Sequence, residues 1–168
     1  LTVPRGISTE TAIVDISPRQ TDSFIGEAFI VNVSATNVAN LNAWSLYLLF
    51  EPAMLNCTDV WVPPNNIFSP YEILWFPPIV DNTAGSIRAF CALNETFGVN
   101  ASGILCQIEF SCKAPGITIL DIANEMQAPI GTYLQDPEYT FIPFEAIDGV
   151  VEVGAPGFQE NIFEAIQN

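Results

Sequence analysis

The chain has 168 residues, enough for one domain with a substantial core and no need of a metal or cofactor to hold it. With 49% of residues apolar and 14% charged, a disordered chain is excluded. Nineteen acidic residues against Arg5, Arg19, Arg88 and Lys113 give a net charge of −15, which repels nucleic acid and anionic membrane surfaces; without histidine, no Ser-His-Asp or Cys-His arrangement and no usual zinc site can form.

Residues 1–10, with Pro4 and Gly6, show little periodicity and read as an extension ahead of a sandwich domain at 11–153. The first strand is expected at Thr11–Ile16, where Ala12, Val14 and Ile16 alternate with polar Thr11 and Asp15 and Ser17-Pro18 ends the run. Gly26–Leu55 organises the rest. Phe29, Val31 and Val33 alternate in one strand, Trp44, Leu46, Leu48 and Phe50 in the next, and Asn37, Asn40 and Asn42 supply a turn between them. Leu55–Val60 gives a fourth strand, followed by a two-proline loop that forbids ladder pairing. Tyr71–Phe76, Ser86–Leu93, Gly103–Cys112, Ile117–Ile122 and Ala146–Val153 complete nine short strands, with a turn at Asp81–Gly85 and an irregular stretch around Pro129, Gly131, Pro137 and Pro143. The pattern predicts an all-β fold, a two-sheet antiparallel sandwich. In the tail, 154–168, Phe158, Ile162, Phe163 and Ile166 fall at helical spacing, which allows a short amphipathic helix or an extended segment.

Four cysteines allow three pairings. Cys106 and Cys112 lie on one strand, roughly 20 Å apart, and cannot bond to each other. Strand polarity favours Cys91–Cys106 and Cys57–Cys112, each worth roughly 2–4 kcal/mol, with buried free thiols as the alternative. Four sequons, at Asn32, Asn56, Asn94 and Asn100, point to secretion and to N-glycosylation at two or more of them. A start at Leu1, without Met, reads as a mature product cut from a precursor after signal-peptide removal, placed outside the cell or on its surface with no membrane insertion. The acid excess reads first as a solubility device. Acidic surroundings are one alternative; structural calcium, held by scattered oxygens such as Asp81, Asp121, Glu125, Asp136 and Glu138, is another, since there is no D-x-D-x-D-G loop. No other cofactor is expected.

Several short segments together resemble the cohesin domains of extracellular scaffold proteins. They are Ile13–Pro18, Gly26, the Phe29–Val33 alternation, Asn37–Leu41 leading into Ala43–Leu46, Phe50–Leu55, Gly85–Ala89, Gly103–Leu105, Ile108–Phe110 and Asp148–Val153. The resemblance implies a nine-stranded jelly roll without catalysis that binds a protein partner, typically a dockerin. Glu51 stands where such domains usually carry Asp. By that topology the third strand belongs to the sheet that meets partners, so outward Tyr47 and Leu49 are candidate contacts unless the chain's own 123–145 segment covers them.

No enzyme is expected, and no pair of carboxyls is picked out for glycoside hydrolysis. A carbohydrate-binding module is a lesser reading, resting on Trp61, Tyr71, Trp75 and Phe76 as a stacking platform. Two assembly readings remain. In the first, copies of the chain polymerise into a surface filament of archaeal type, a pilus-like thread built by donor-strand addition. Leu1, Val3 and Ile7 then lie in the donor segment, and Phe158, Ile162, Phe163 and Ile166 form a second contact. In the second, the chain is a scaffold module that captures a dockerin-bearing protein.

Overall fold

Strands whose apolar residues alternate bury one face, and two such sheets close on each other here. The computed structural model describes residues 10–124 and 131–155. The described strands are β1 (Ala12–Ser17), β2 (Gln20–Phe24), β3 (Ala28–Leu41), β4 (Ala43–Leu49), β5 (Leu55–Trp61), β6 (Ile73–Trp75), β7 (Ile79–Asp81), β8 (Ser86–Leu93), β9 (Val99–Cys112), β10 (Gly116–Ile122), β11 (Tyr133–Gln135), β12 (Phe141–Ile142), β13 (Phe144–Ile147) and β14 (Gly149–Gly154). The first sheet has the order β13–β1–β3–β9–β5. The second runs β12–β11–β4–β10–β14–β2, with β8 against β4 and both β6 and β7 against β8. β1 lies parallel to β13, and β14 to β2; the other strand pairs are antiparallel. The chain crosses between the sheets at each of its first four connections, giving an all-β jelly-roll sandwich.

Between the sheets lie Val14 and Ile16 of β1, Val31 and Val33 of β3, Trp44, Leu46 and Leu48 of β4, Ile87 of β8, Ile108 and Phe110 of β9, and Val151 of β14, all essentially inaccessible to water. Each such side chain contributes roughly 1.5–3 kcal/mol of transfer free energy. Phe110 is central, with ring centroids of Phe50 and Phe29 at 5.3 and 5.6 Å. Phe68 enters this core from the two-proline loop. Asn66 folds the loop there: its Nδ2 donates to Pro63 O at 2.9 Å, and its Oδ1 accepts the Phe68 N–H at 2.9 Å.

Asn37 and Asn40 do not form the expected turn. β3 continues through them to Leu41, and both sit at positive φ, 57° and 59°, in register shifts against β9. Asn tolerates that backbone region better than most residues. The main-chain donors turned out of the ladder are met by β9 side chains, Asn37 N–H by Ser102 Oγ at 2.9 Å and Asn40 N–H by Asn100 Oδ1 at 2.8 Å.

The expected bridges Cys91–Cys106 and Cys57–Cys112 are not formed; all four cysteines are buried free thiols. Leu55 pairs with Cys112 and Cys57 with Phe110, so Cys57 and Cys112 are diagonal neighbours. Diagonal positions stand roughly 7–8 Å apart, beyond the usual Cα span of a disulfide. Cys91 and Cys106 belong to opposite sheets and face each other across the core as free thiols. Burial pushes Cys91 up to about 12 and Cys57 up to about 11, the latter helped by nearby Asp59 and Glu109 against a hydrogen bond to Asp59. Cys106 is raised further, by burial first and then by Cys91 and Cys57.

Candidate functional site

β4 crosses the second sheet with β8 along one edge and β11 and β10 end to end along the other. Since Trp44, Leu46 and Leu48 point into the core, Ser45, Tyr47 and Leu49 point out. The same parity on β8 sends Arg88 and Phe90 outward, opposite Tyr47 and Ser45. The Arg88 guanidinium carbon lies 4.2 Å from the Tyr47 ring centroid, a cation–π contact worth about 0.5–1 kcal/mol at an exposed site.

β7 sets Ile79 beside Arg88, and Phe76 meets Phe90 edge-on at 5.2 Å. Ile79 and Phe76 remain 66% and 51% exposed. With Ser45 and Pro77 they line a groove of about 370 Å³. Across β4, a second groove of about 390 Å³ runs between Leu49 and β10, where Ile117 and Ile119 are 69% and 54% exposed. The outer face of β10, β4, β8 and β7 therefore presents aliphatic and aromatic side chains to water along its width. Each exposed side chain on this face forgoes burial energy that a further contact would recover.

Charge is sparse on this face. Arg88 lies near its centre, and Glu51 and Asp121 help to wall the second groove. Asp121 titrates above the usual carboxylate range, chiefly through partial burial and secondarily through Asp148. Asp148 is fixed by the Ile122 N–H, which donates to its Oδ1 at 2.9 Å.

Tyr47 and Leu49 are thus placed as expected, on the outer face of a central strand. The described part of 123–145 extends the sheet edge rather than covering that face. Thr132 bridges the break between β10 and β11: its Oγ1 accepts the Tyr47 N–H at 2.9 Å and donates to Tyr47 O at 3.2 Å. Phe90, Ile79, Ile117 and Ile119 escaped the sequence reading, and Phe76 was read as a sugar-stacking residue. The available signal was β10 itself, ITILDI, which keeps isoleucines on the face that a half-buried strand usually gives to polar residues.

The expected calcium set is not assembled. Asp121 pairs with Leu49 at one end of β4, and Gln135, the neighbour of Asp136, pairs with Ala43 at the other. Six residues of strand separate these ends by roughly 20 Å, too far for one ion. Asp136 Oδ1 instead accepts the Glu138 and Thr140 N–H groups, and Asp81 Oδ1 those of Thr83 and Ala84. Among the described residues no three acids or thiols converge on a metal-sized site; Glu125 lies outside them.

The sugar platform is not assembled either. Trp61 lies on β5 of the first sheet, Trp75 packs on Trp44 at 6.0 Å, Tyr71 meets Phe97 at 5.2 Å, and Phe76 belongs to the apolar face. The donor candidates Leu1, Val3 and Ile7, and the tail candidates Phe158, Ile162, Phe163 and Ile166, lie outside the described residues. Within the described sandwich, β1, β3 and β9 each have chain neighbours on both sides, so the first sheet holds no vacant interior slot for a donated strand. Asn32, Asn56 and Asn100 sit on β3, β5 and β9, and Asn94 follows β8.

No protein-family model and no curated protein sequence matches the chain. Its fold is that of cohesin domains. A type II cohesin domain from the cellulosome of Acetivibrio cellulolyticus superposes with a TM-score of 0.69 at 16% identity, over 84% of this chain and 95% of that one. A non-cellulosomal cohesin from the hyperthermophilic archaeon Archaeoglobus fulgidus gives 0.67 at 14% identity, over 95% of this chain and all of the other. A type I cohesin solved in complex with a dockerin, from Clostridium thermocellum, gives 0.65 at 14% identity, over 86% and 100%.

Proposed function

We propose that this chain is a non-catalytic receptor module that holds a dockerin-bearing protein against the outer face of β10, β4, β8 and β7, outside the cell or on its surface. The observation that carries this reading is the outward apolar band from Ile119 through Leu49 and Tyr47 to Phe90 and Ile79, exposed at its two flanks, Ile117 and Ile119 on one side and Ile79 and Phe76 on the other, and half-buried at Leu49, Tyr47 and Phe90 between them. The Clostridium thermocellum neighbour, of the same fold, was solved holding a dockerin. Ile79 and Phe76 act as anchors in this scheme. Arg88, stacked on Tyr47, places a positive charge near the centre of this face. The strong negative charge of the receptor favours a partner whose rim is basic and hastens its approach at low salt.

The absence of histidine supports a non-catalytic role. Polymerisation by a donated strand has narrower support, confined to the apolar composition of the terminal segments. The test is capture of the full chain by a dockerin-bearing protein of the same organism, with and without a calcium chelator. The proposal expects saturable one-to-one binding that is lost on chelation, through the dockerin's own calcium. Absence of binding to every dockerin-bearing protein of that organism contradicts it.

A further inference from the structure

The outer face of the first sheet is chemically unlike the docking face. Asp15 of β1, Thr36 of β3, Gln107, Glu109 and Ser111 of β9 and Thr58 of β5 all project from it, interspersed with Ile30 and Trp61 and with half-buried Ile13, Ile104 and Ile147. Three of the four sequons lie on this same face, Asn32-Val33-Ser34, Asn56-Cys57-Thr58 and Asn100-Ala101-Ser102. Successive residues of a strand alternate sides, so each acceptor Asn and its hydroxyl two positions on share a face. Their shared face is the solvent side, because the middle residues Val33 and Cys57 point into the core and Asn100 and Ser102 are exposed. β4, β7, β8 and β10 carry no sequon at all.

The hydrogen bonds on this face engage the side-chain oxygens of Asn32 and Asn100, not their amide nitrogens. Trp61 Nε1 can only donate, and it donates to Gln107 Oε1 at 2.8 Å. Gln107 must therefore present its Nε2 to Asn32, whose Oδ1 accepts at 2.9 Å. Asn32 Nδ2 is thereby turned away from Gln107. Asn100 is oriented likewise, its Oδ1 accepting the Asn40 N–H. A glycosylated asparagine keeps its carbonyl oxygen, so both bonds survive modification.

We propose that Asn32, Asn56 and Asn100 carry N-linked oligosaccharides, which sheathe the outer face of the first sheet and leave the apolar face of the second bare. The co-substrate is a polyprenyl-phosphate-linked oligosaccharide. The amide Nδ2 forms a bond to the sugar's anomeric carbon as that carbon's bond to the lipid phosphate oxygen breaks. One amide proton is released and the lipid phosphate leaves. Asn32 and Asn56 face Gln107 and Ser111 from opposite sides of β9. At about 3.3 Å per residue and 4.8 Å per strand they stand roughly 16 Å apart, room for separate chains. The inference holds whether or not a partner docks on the other sheet.

The test is site-by-site glycopeptide mass spectrometry of the protein isolated from its own organism. Sugar on the peptides holding Asn32, Asn56 and Asn100 is the expected result, and the N32Q, N56Q and N100Q variants should each lose one glycan mass and still be secreted. Unmodified asparagine at two or all three of these positions, including the case in which Asn94 alone is modified, overturns the proposal.

Discussion

At the scale of single residues, the fold depends on a few positions whose chemistry is narrowly constrained. Gly85 closes the Asp81 turn at φ +77°, and a Cβ there would run into the carbonyl oxygen of Phe50, the residue that follows β4. Gly85→Ala should cost at least about 2 kcal/mol, read as a lower midpoint in urea unfolding. The cysteines give a second prediction. Three of the buried thiols, Cys91 near 12, Cys57 near 11 and Cys106 raised further, hold almost no thiolate at pH 8. Native protein should therefore resist alkylation, while denatured, unreduced protein should release four titratable thiols; two or none would mean that bridges form after all. Asp121 gives a third. Its raised pKa means that the folded state disfavours the ionised carboxylate, so stability rises as pH falls from neutral through its folded pKa and levels off below the unfolded value. Asp121→Asn should remove that slope and stabilise the protein at pH 7 by roughly 0.5 kcal/mol or less, seen in unfolding midpoints measured at pH 4 and pH 7.

At the scale of elements, alternation made most of the sandwich legible. β1, β4, β5, β8, β10 and β14 bury residues at every second position for much of their length, and that period is visible in the sequence. β2, QTDSF, is not legible because it is polar and lies at a sheet edge. β7, β11, β12 and β13 have two to four residues each, too few to show a period. The Asn37 and Asn40 bulges misled for a physical reason: the same tolerance of positive φ that suits Asn to turns suits it to a bulge, and only the partner residues Ser102 and Asn100 decide between them. Asn40→Val should therefore weaken the β3–β9 ladder by about 1–2 kcal/mol, measured by chemical denaturation. Phe68 was hidden in a proline loop, yet it is fully buried, so Phe68→Ala should cost about 3–5 kcal/mol.

At the scale of the whole molecule, the two outer faces differ in chemistry. The first sheet turns Asn, Ser, Thr and Gln outward and carries three of the four sequons, while the second turns out Phe, Tyr, Leu and Ile around Arg88. Strand parity alone was enough to turn Tyr47 and Leu49 outward, while their sheet could be singled out only through the resemblance to cohesin domains. The remaining members of this face could not be found in that way, because Ile79, Phe90 and Ile119 come from strands whose neighbours in space are distant in sequence, and only the β4–β8, β7–β8 and β10–β4 pairings bring them together. The most direct measurement is calorimetric titration of the dockerin-bearing partner into wild-type chain, Leu49→Glu, Phe90→Glu and, on the opposite face, Thr36→Glu. Each of the first two variants should lose at least about tenfold in affinity, roughly 1.4 kcal/mol, with Thr36→Glu binding as the wild type does; equal affinity across all four proteins would contradict the account.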